Sequence, residues 1–373
     1  MPNEKVTFHQ ALFTMVLFGF GSSVIMGISS NVYQDAWIAI LLGAALVTPI
    51  ALMHIRIIKL FPEKNLFQVM EITLGKIVGK IFTVLLVWYA VHLAALVLHN
   101  FADFIQVFDM PETPQLVIMI LMFWITVYLA RSGILVVGKW SVFAFCFVLF
   151  VILFTFCTSL HQINLENLLP LFEASPSQIA KDTFGIFAFP FAESIIFLCA
   201  ADCLYRQDCQ KVHKIYFCSM GILVAIFLTV FIRNLPLLGS ALKDQSYYPS
   251  YTGVRTIEVG DFLARIESSI SSNFIHAGIV KITVCLLAAS KGIANLFALP
   301  HPRTFVMPAG MLALALCVFL YKSTMEMFAF LEYYPFYSLP FQVIIPVIVW
   351  ISAEIYTKKQ KKKEAQTPAD ASQ

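Results

Sequence analysis

The chain has 373 residues, 59% of them hydrophobic and only 13% charged, with a formal net charge of +3 and 35 phenylalanines. A water-soluble domain of this length could not hide so much apolar surface, so lipid must solvate most of the chain.

A bilayer span needs about 20 apolar residues at 1.5 Å rise each. Ten stretches meet that rule in chain order: 9–30, 37–58, 81–107, 115–130, 138–160, 184–205, 213–236, 274–297, 303–321 and 336–356. The first lacks a small-x-small cleavage ending and nine more follow, so it is read as a mature helix rather than a signal peptide. Its apolar run is interrupted by Gly19-Phe20-Gly21-Ser22-Ser23. Five spans later, "AFPFAES" places Pro190 and Glu193 near the middle of the sixth.

Two breaks five spans apart suggest two sets of five helices. Sets of an odd number point opposite ways across the membrane, the inverted-repeat plan of many secondary transporters. Freed backbone groups are tolerated in hydrocarbon only beside protein or a water-filled cavity. Broken helices therefore mark a candidate ligand site, although glycines in such helices also serve close packing and a proline can simply bend one.

With the N-terminus in the cytoplasm, 18 of the 25 Lys and Arg fall in inside segments and five outside, with Arg233 and Lys281 within spans. The positive-inside rule then places both termini in the cytoplasm. The run "KKQKKK" is read as a topology anchor on the anionic leaflet, so no nucleic-acid partner is expected. The domain reading is one ten-helix membrane domain over 1–356, followed by a basic, disordered tail over 357–373. Within it, the first repeat covers 9–160 and the second 184–321, with the helix 336–356 completing the second set of five.

Lys281 lies about seven residues into span eight among apolar or small neighbours. An unpaired ammonium there is expensive. It either snorkels, about 10 Å from the surface, or is buried with Glu193 or a bound carboxylate as its partner. Arg233, three residues before Pro236, is expected to snorkel, and His92 and His99 to pack. The segment near Ile257 to Ile270 reads as an amphipathic surface helix. No nucleophile–base pair, phosphate loop or metal-ligand spacing stands out, so no enzyme, cofactor or metal is expected. The eight cysteines fall in spans or cytoplasmic loops, so no disulfide framework is expected, and Cys199 and Cys203, four apart on one helix, are read as packing residues.

Four stretches carry a family likeness: "FGFGSS", "NFADFIQVFDMPETPQLVI", "ARSGILVVGKWS" and "FPFAES". Through them the chain resembles the B subunit of bacterial spore germinant receptors, the permease-like component, within the amino acid–polyamine–organocation transporter superfamily. The resemblance implies an all-α, LeuT-like fold with ten helices in a five-plus-five inverted repeat, helices 1 and 6 being discontinuous. It also implies the spore inner membrane, a small amino-acid-like nutrient as ligand, and an A subunit and a lipoprotein C subunit as partners. The ligand pocket would fall to Gly19, Phe20, Gly21 and Ser22 of the first break, Phe189, Pro190 and Phe191 of the second, and Leu93, Lys281 and Cys285. This chain departs from many relatives in having Ala192 before the glutamate, and lysine is not universal at position 281. In the mechanism so implied, the ligand carboxylate sits on N–H groups of Gly21 to Ser23 and its amine on carbonyls of Phe187 to Phe189. Phe20, Phe191 and Leu93 would line the side-chain pocket. A proton-coupled amino acid permease, or a subunit with a vestigial pocket, shares the same architecture.

Overall fold

In the computed structural model, residues 5–27, 32–257 and 267–366 are described. Fifteen α-helices over these residues carry the fold. They are α1 Phe8–Met26, α2 Ala36–Leu60, α3 Leu66–Leu74, α4 Lys76–Phe108, α5 Gln115–Ser132, α6 Ile134–Ser159, α7 Pro176–Ile186, α8 Ile195–Leu198, α9 Arg206–Cys209, α10 Val212–Gln245, α11 Pro249–Arg255, α12 Glu267–Leu296, α13 Val306–Leu320, α14 Thr324–Leu339 and α15 Ile345–Gln366. Among the described residues, eight helices are long and apolar enough to cross a membrane. The first and sixth expected spans are the exceptions. The apolar part of α1 is short, and the sixth span is broken.

α12 lies at the centre of the bundle, buried on nearly all its faces against α4, α1, α6 and α5. Small residues let the backbones approach, as in other membrane bundles. A methyl group on Gly278 would lie 2.6 Å from the Phe101 ring of α4, and one on Gly292 would collide with Val87 Cγ2. The short α3, which the apolar count does not predict, starts with a capping box in which Asn65 accepts from Gln68 N at 3.0 Å. Gly75, at φ +84°, then turns the chain directly into α4. Ahead of α1, Val6 pairs with Leu204 just past the sixth span, its N–H donating to Cys203 O at 2.9 Å.

Four expectations are corrected. First, α1 is helical through Gly19, Phe20, Gly21, Ser22 and Ser23, and the chain leaves the helix only at Gly27, where φ is +84°. The glycines serve packing instead: a methyl on Gly19 would meet Leu223 Cδ1 at 2.6 Å, and one on Gly21 would touch Lys281 Cδ and Ala277 O. Ser23 turns its hydroxyl back onto Gly19 O at 2.9 Å, so it adds no polarity to a cavity. Second, Arg233 does not snorkel; it is 1% exposed, held inside by Thr155 and Asn234. Third, the last span begins at Thr324 rather than 336, because Pro335 and Pro340 are absorbed in a helix that continues through a π-turn at Pro340–Ile344. Fourth, α15 runs to Gln366, so the basic segment is helical to that point rather than disordered from 357. Most of the amphipathic segment expected near Ile257 to Ile270 lies outside the described residues.

Candidate functional site

The sixth span breaks where its sequence demands. Pro190 has no N–H and its ring crowds the preceding turn. Phe189 is extended, with φ −137° and ψ 109°. The chain recovers by a π-type bond from Ala192 N to Phe187 O. The carbonyl of Ala188, beside the break, also draws a donor from outside its own helix. Gln342, on the π-turn between α14 and α15, donates its Nε2–H to Ala188 O at 2.9 Å. One proline-bearing irregular turn thus caps the backbone of the other, as buried backbone favours.

Just past the break, Glu193 is 0% exposed, and so is Lys281. Lys281 Nζ donates to Glu193 Oε2 at 2.6 Å, so the ammonium is buried and paired, not snorkelling. The other carboxylate oxygen accepts from Tyr334 OH at 2.6 Å. Because Tyr334 spends its single proton there, Tyr89 OH must donate in its 3.1 Å contact with Tyr334 OH. Tyr89 oxygen in turn accepts from Gln342 Nε2 at 2.8 Å, and Gln342 Oε1 from Ser338 at 3.2 Å. A directional chain of hydrogen bonds thus runs from the ion pair back to the broken backbone, with all these groups buried. The Lys281 ammonium also lies 5.1 Å from the centroid of Phe18 and 4.8 Å from that of Phe189, within cation–π range.

Two small cavities flank the break. One, of ≈ 20 Å³, is lined by Leu93, Asn100, Phe189, Glu193, Tyr321 and Tyr334 among others. The second, of ≈ 30 Å³, includes Phe18, Gly19, Pro190, Phe191 and Tyr216. The expected pocket residues are consequently divided. Leu93, Phe189 and Glu193 face the first cavity, and Gly19, Pro190 and Phe191 the second. Phe20, Ser22 and Ser23 are buried within the packing around α1, and Gly21 abuts Lys281. Phe187 is buried and supplies the carbonyl of the π-bond, and Cys285, buried one turn beyond Lys281, lines neither cavity. The N–H groups of Gly21 to Ser23 lie inside a continuous helix and are used there, so they are not free to hold a ligand carboxylate.

Tyr89, Tyr334, Ser338 and Gln342 are absent from the sequence-derived site. One signal was available for the last of these, a polar Gln beside Pro340 within an apolar run, and polar residues at membrane depth mark function by default. His99 does pack as expected, its Nδ1 3.0 Å from Cys317 O. His92 stacks on Trp88 at 5.5 Å.

Residues 5–327 match the family model described as spore germination protein. Spore germination protein KB of Bacillus subtilis (strain 168) is 27% identical over 369 residues, covering 97% of this chain and 98% of that one. The putative spore germination protein YfkT of the same organism is 25% identical, over 93% of this chain and 96% of its own length. Among solved structures, Mhp1, a nucleobase-cation-symport-1 family transporter, superposes with a TM-score of 0.68 at 12% identity, covering 92% of this chain and 78% of that one. MhsT, solved in complex with L-phenylalanine, superposes with a TM-score of 0.57 at 11% identity, over 94% and 99%. The fold is accordingly LeuT-like, as the sequence implies, and the chain is an integral membrane protein.

Proposed function

We propose that this chain, which belongs to the spore germination protein family and is a germinant-receptor-like permease, senses a small amino-acid-like nutrient. It would do so in the spore inner membrane, with both termini in the cytoplasm, beside an A subunit and a lipoprotein C subunit. The observation that carries the reading is the Glu193 carboxylate, at the broken sixth span, in the wall of a small cavity. Apolar walls with few polar groups are those of a small-molecule site, and the cavity, ≈ 20 Å³ in this state, would widen around the ligand.

A ligand ammonium would take the side of Glu193 that faces the cavity, and Asn100 and Tyr321 supply polar groups for the ligand's other end. An incoming ammonium beside Glu193 weakens that carboxylate's hold on Lys281. The Tyr334–Tyr89–Gln342 chain would then relay the change to the break and to α14 and α15. In this way binding would shift the bundle between two states, which the partner subunits read. Lys281, a fixed charge built into the protein, would stand in for a coupling cation. The second cavity, lined by Pro190 and Phe191 of the same break, favours a second reading, a proton-coupled amino acid permease.

The test is thermal unfolding of the purified chain against a panel of amino acids, with Leu93→Trp filling the cavity and radiolabelled uptake measured in parallel. A specific upward shift, lost in Leu93→Trp and unaccompanied by uptake, is the expected result. A shift that survives Leu93→Trp refutes the site, and saturable uptake shifts the assignment to the permease.

A further inference from the structure

Arg233 is fully buried like Lys281, but unlike Lys281 and the part-buried Lys291 it has no carboxylate partner among the described residues. Lys281 meets Glu193 at 2.6 Å and Lys291 meets Asp202 at 2.5 Å. Arg233, 1% exposed, donates from Nε and Nη2 to Asn234 Oδ1 at 3.0 and 2.9 Å, and from Nη1 to Thr155 Oγ1 of α6 at 2.7 Å. Both acceptors are neutral. Among the side chains that the structure describes, which leave out Asp244, no Asp or Glu lies within ion-pair distance of it. A guanidinium offers five N–H donors, so one on each terminal nitrogen has no acceptor among these contacts.

The neutral partners are themselves fixed. Asn234 Nδ2 donates to Ser250 Oγ at 3.0 Å, Ser250 Oγ donates to Val24 O at 2.8 Å, and Thr155 Oγ1 donates to Val151 O at 2.8 Å. The charge is thus held in place, in a protein interior, by dipoles alone. Leaving an ion uncompensated there is strongly unfavourable. Asn234 and Ser250 also line a cavity of ≈ 30 Å³, whose other walls include Val24, Gly27 and Pro249 and carry no charge; Arg233 itself is not in its wall.

We propose that Arg233 holds a small monovalent anion on the two N–H groups that its neutral partners leave unused. A single negative charge balances the guanidinium, and the two unused N–H groups, one on each terminal nitrogen, supply charge-assisted hydrogen bonds to it. A halide and a small carboxylate share this chemistry. The site uses none of the residues of the nutrient cavity, so either assignment can fail without the other.

The experiment is thermal unfolding of the full chain in detergent and a low-salt zwitterionic buffer, adding sodium chloride or, separately, sodium acetate. The expected result is a saturable rise of about 2–4 °C in the wild type, of the size that one kcal/mol or so of anion binding gives. A response to chloride alone identifies an inorganic ion, and a response to acetate a carboxylate. Arg233→Met, which removes the charge, should unfold at a higher temperature than the wild type without added salt and lose the rise. Thr155→Val, which keeps the guanidinium but removes one acceptor, should enlarge it. A wild-type stability that ignores both salts, or an equal rise in Arg233→Met, overturns the proposal. So does a Glu258→Gln or Asp261→Asn variant that reproduces the loss of the rise, since the counter-charge would then come from the chain itself.

Discussion

Replacing Lys281 with methionine keeps most of the side-chain volume and removes the charge that balances Glu193. The carboxylate is then left fully buried with the Tyr334 hydroxyl, at 2.6 Å, as its remaining donor. Breaking a buried ion pair from one side costs about 3–5 kcal/mol, whereas replacing both charges by neutral groups is often close to neutral. The cation–π contacts with Phe18 and Phe189, at 5.1 and 4.8 Å, are lost either way, at about 1–2 kcal/mol. Lys281→Met should therefore lower the thermal midpoint by on the order of 10 °C, at roughly 2–4 °C per kcal/mol. The double variant Lys281→Met/Glu193→Gln should recover more than half of that loss, because Gln still accepts from Tyr334 and no charge remains. The assay is tryptophan-fluorescence melting of wild type, both single variants and the double variant in one detergent, read as a double-mutant cycle. If the double variant falls by the sum of the two singles, the charges act independently, and the paired arrangement at the break is wrong.

Two further outcomes follow from the packing. Gln342→Leu removes a donor from both the Ala188 carbonyl and the Tyr89 oxygen, and should destabilise by about 1–3 kcal/mol with a matching drop in melting temperature. An unchanged melt would mean that Ala188 is satisfied some other way. Gly278→Ala drives a methyl to 2.6 Å from the Phe101 ring at the most tightly packed helix pair, and should cost about 1–3 kcal/mol in the same melt. A neutral result would show that α4 and α12 can separate freely.

The membrane class, the break in the sixth span and the two charges of the central pair are legible in the sequence because lipid makes each of them costly. Twenty apolar residues in a row, a proline in one such run, and a lysine in another are conspicuous in a solvent that penalises every unsatisfied polar group. Gly19 to Ser23 were misleading for the complementary reason. Glycine both loosens a helix and admits a neighbour, and the letters are the same in either use; only Leu223 and Lys281, brought from 204 and 260 residues away, decide between them. Arg233 was misjudged because position along a helix gives depth but not facing, and the side chain turns inward to α6. The Tyr89, Tyr334 and Gln342 chain lies on two helices far apart in sequence, joined only by the fold. Gln342 could have been noticed by its polarity, but nothing in the sequence pairs it with Ala188.

The unbroken run of α15 from the π-turn to Gln366 gives the break mechanical leverage. Twenty-two helical residues form a rod about 33 Å long. One end is pinned beside Gln342, which grips the frayed backbone at Ala188, and the other carries Lys358, Lys359, Lys361, Lys362 and Lys363 on an exposed surface. A pivot of about 4° at the gripped end sweeps the lysine-bearing tip sideways by about 2 Å. A rearrangement too small to open a passage through the bundle could thus be delivered at its edge as a displacement the size of a hydrogen-bond length.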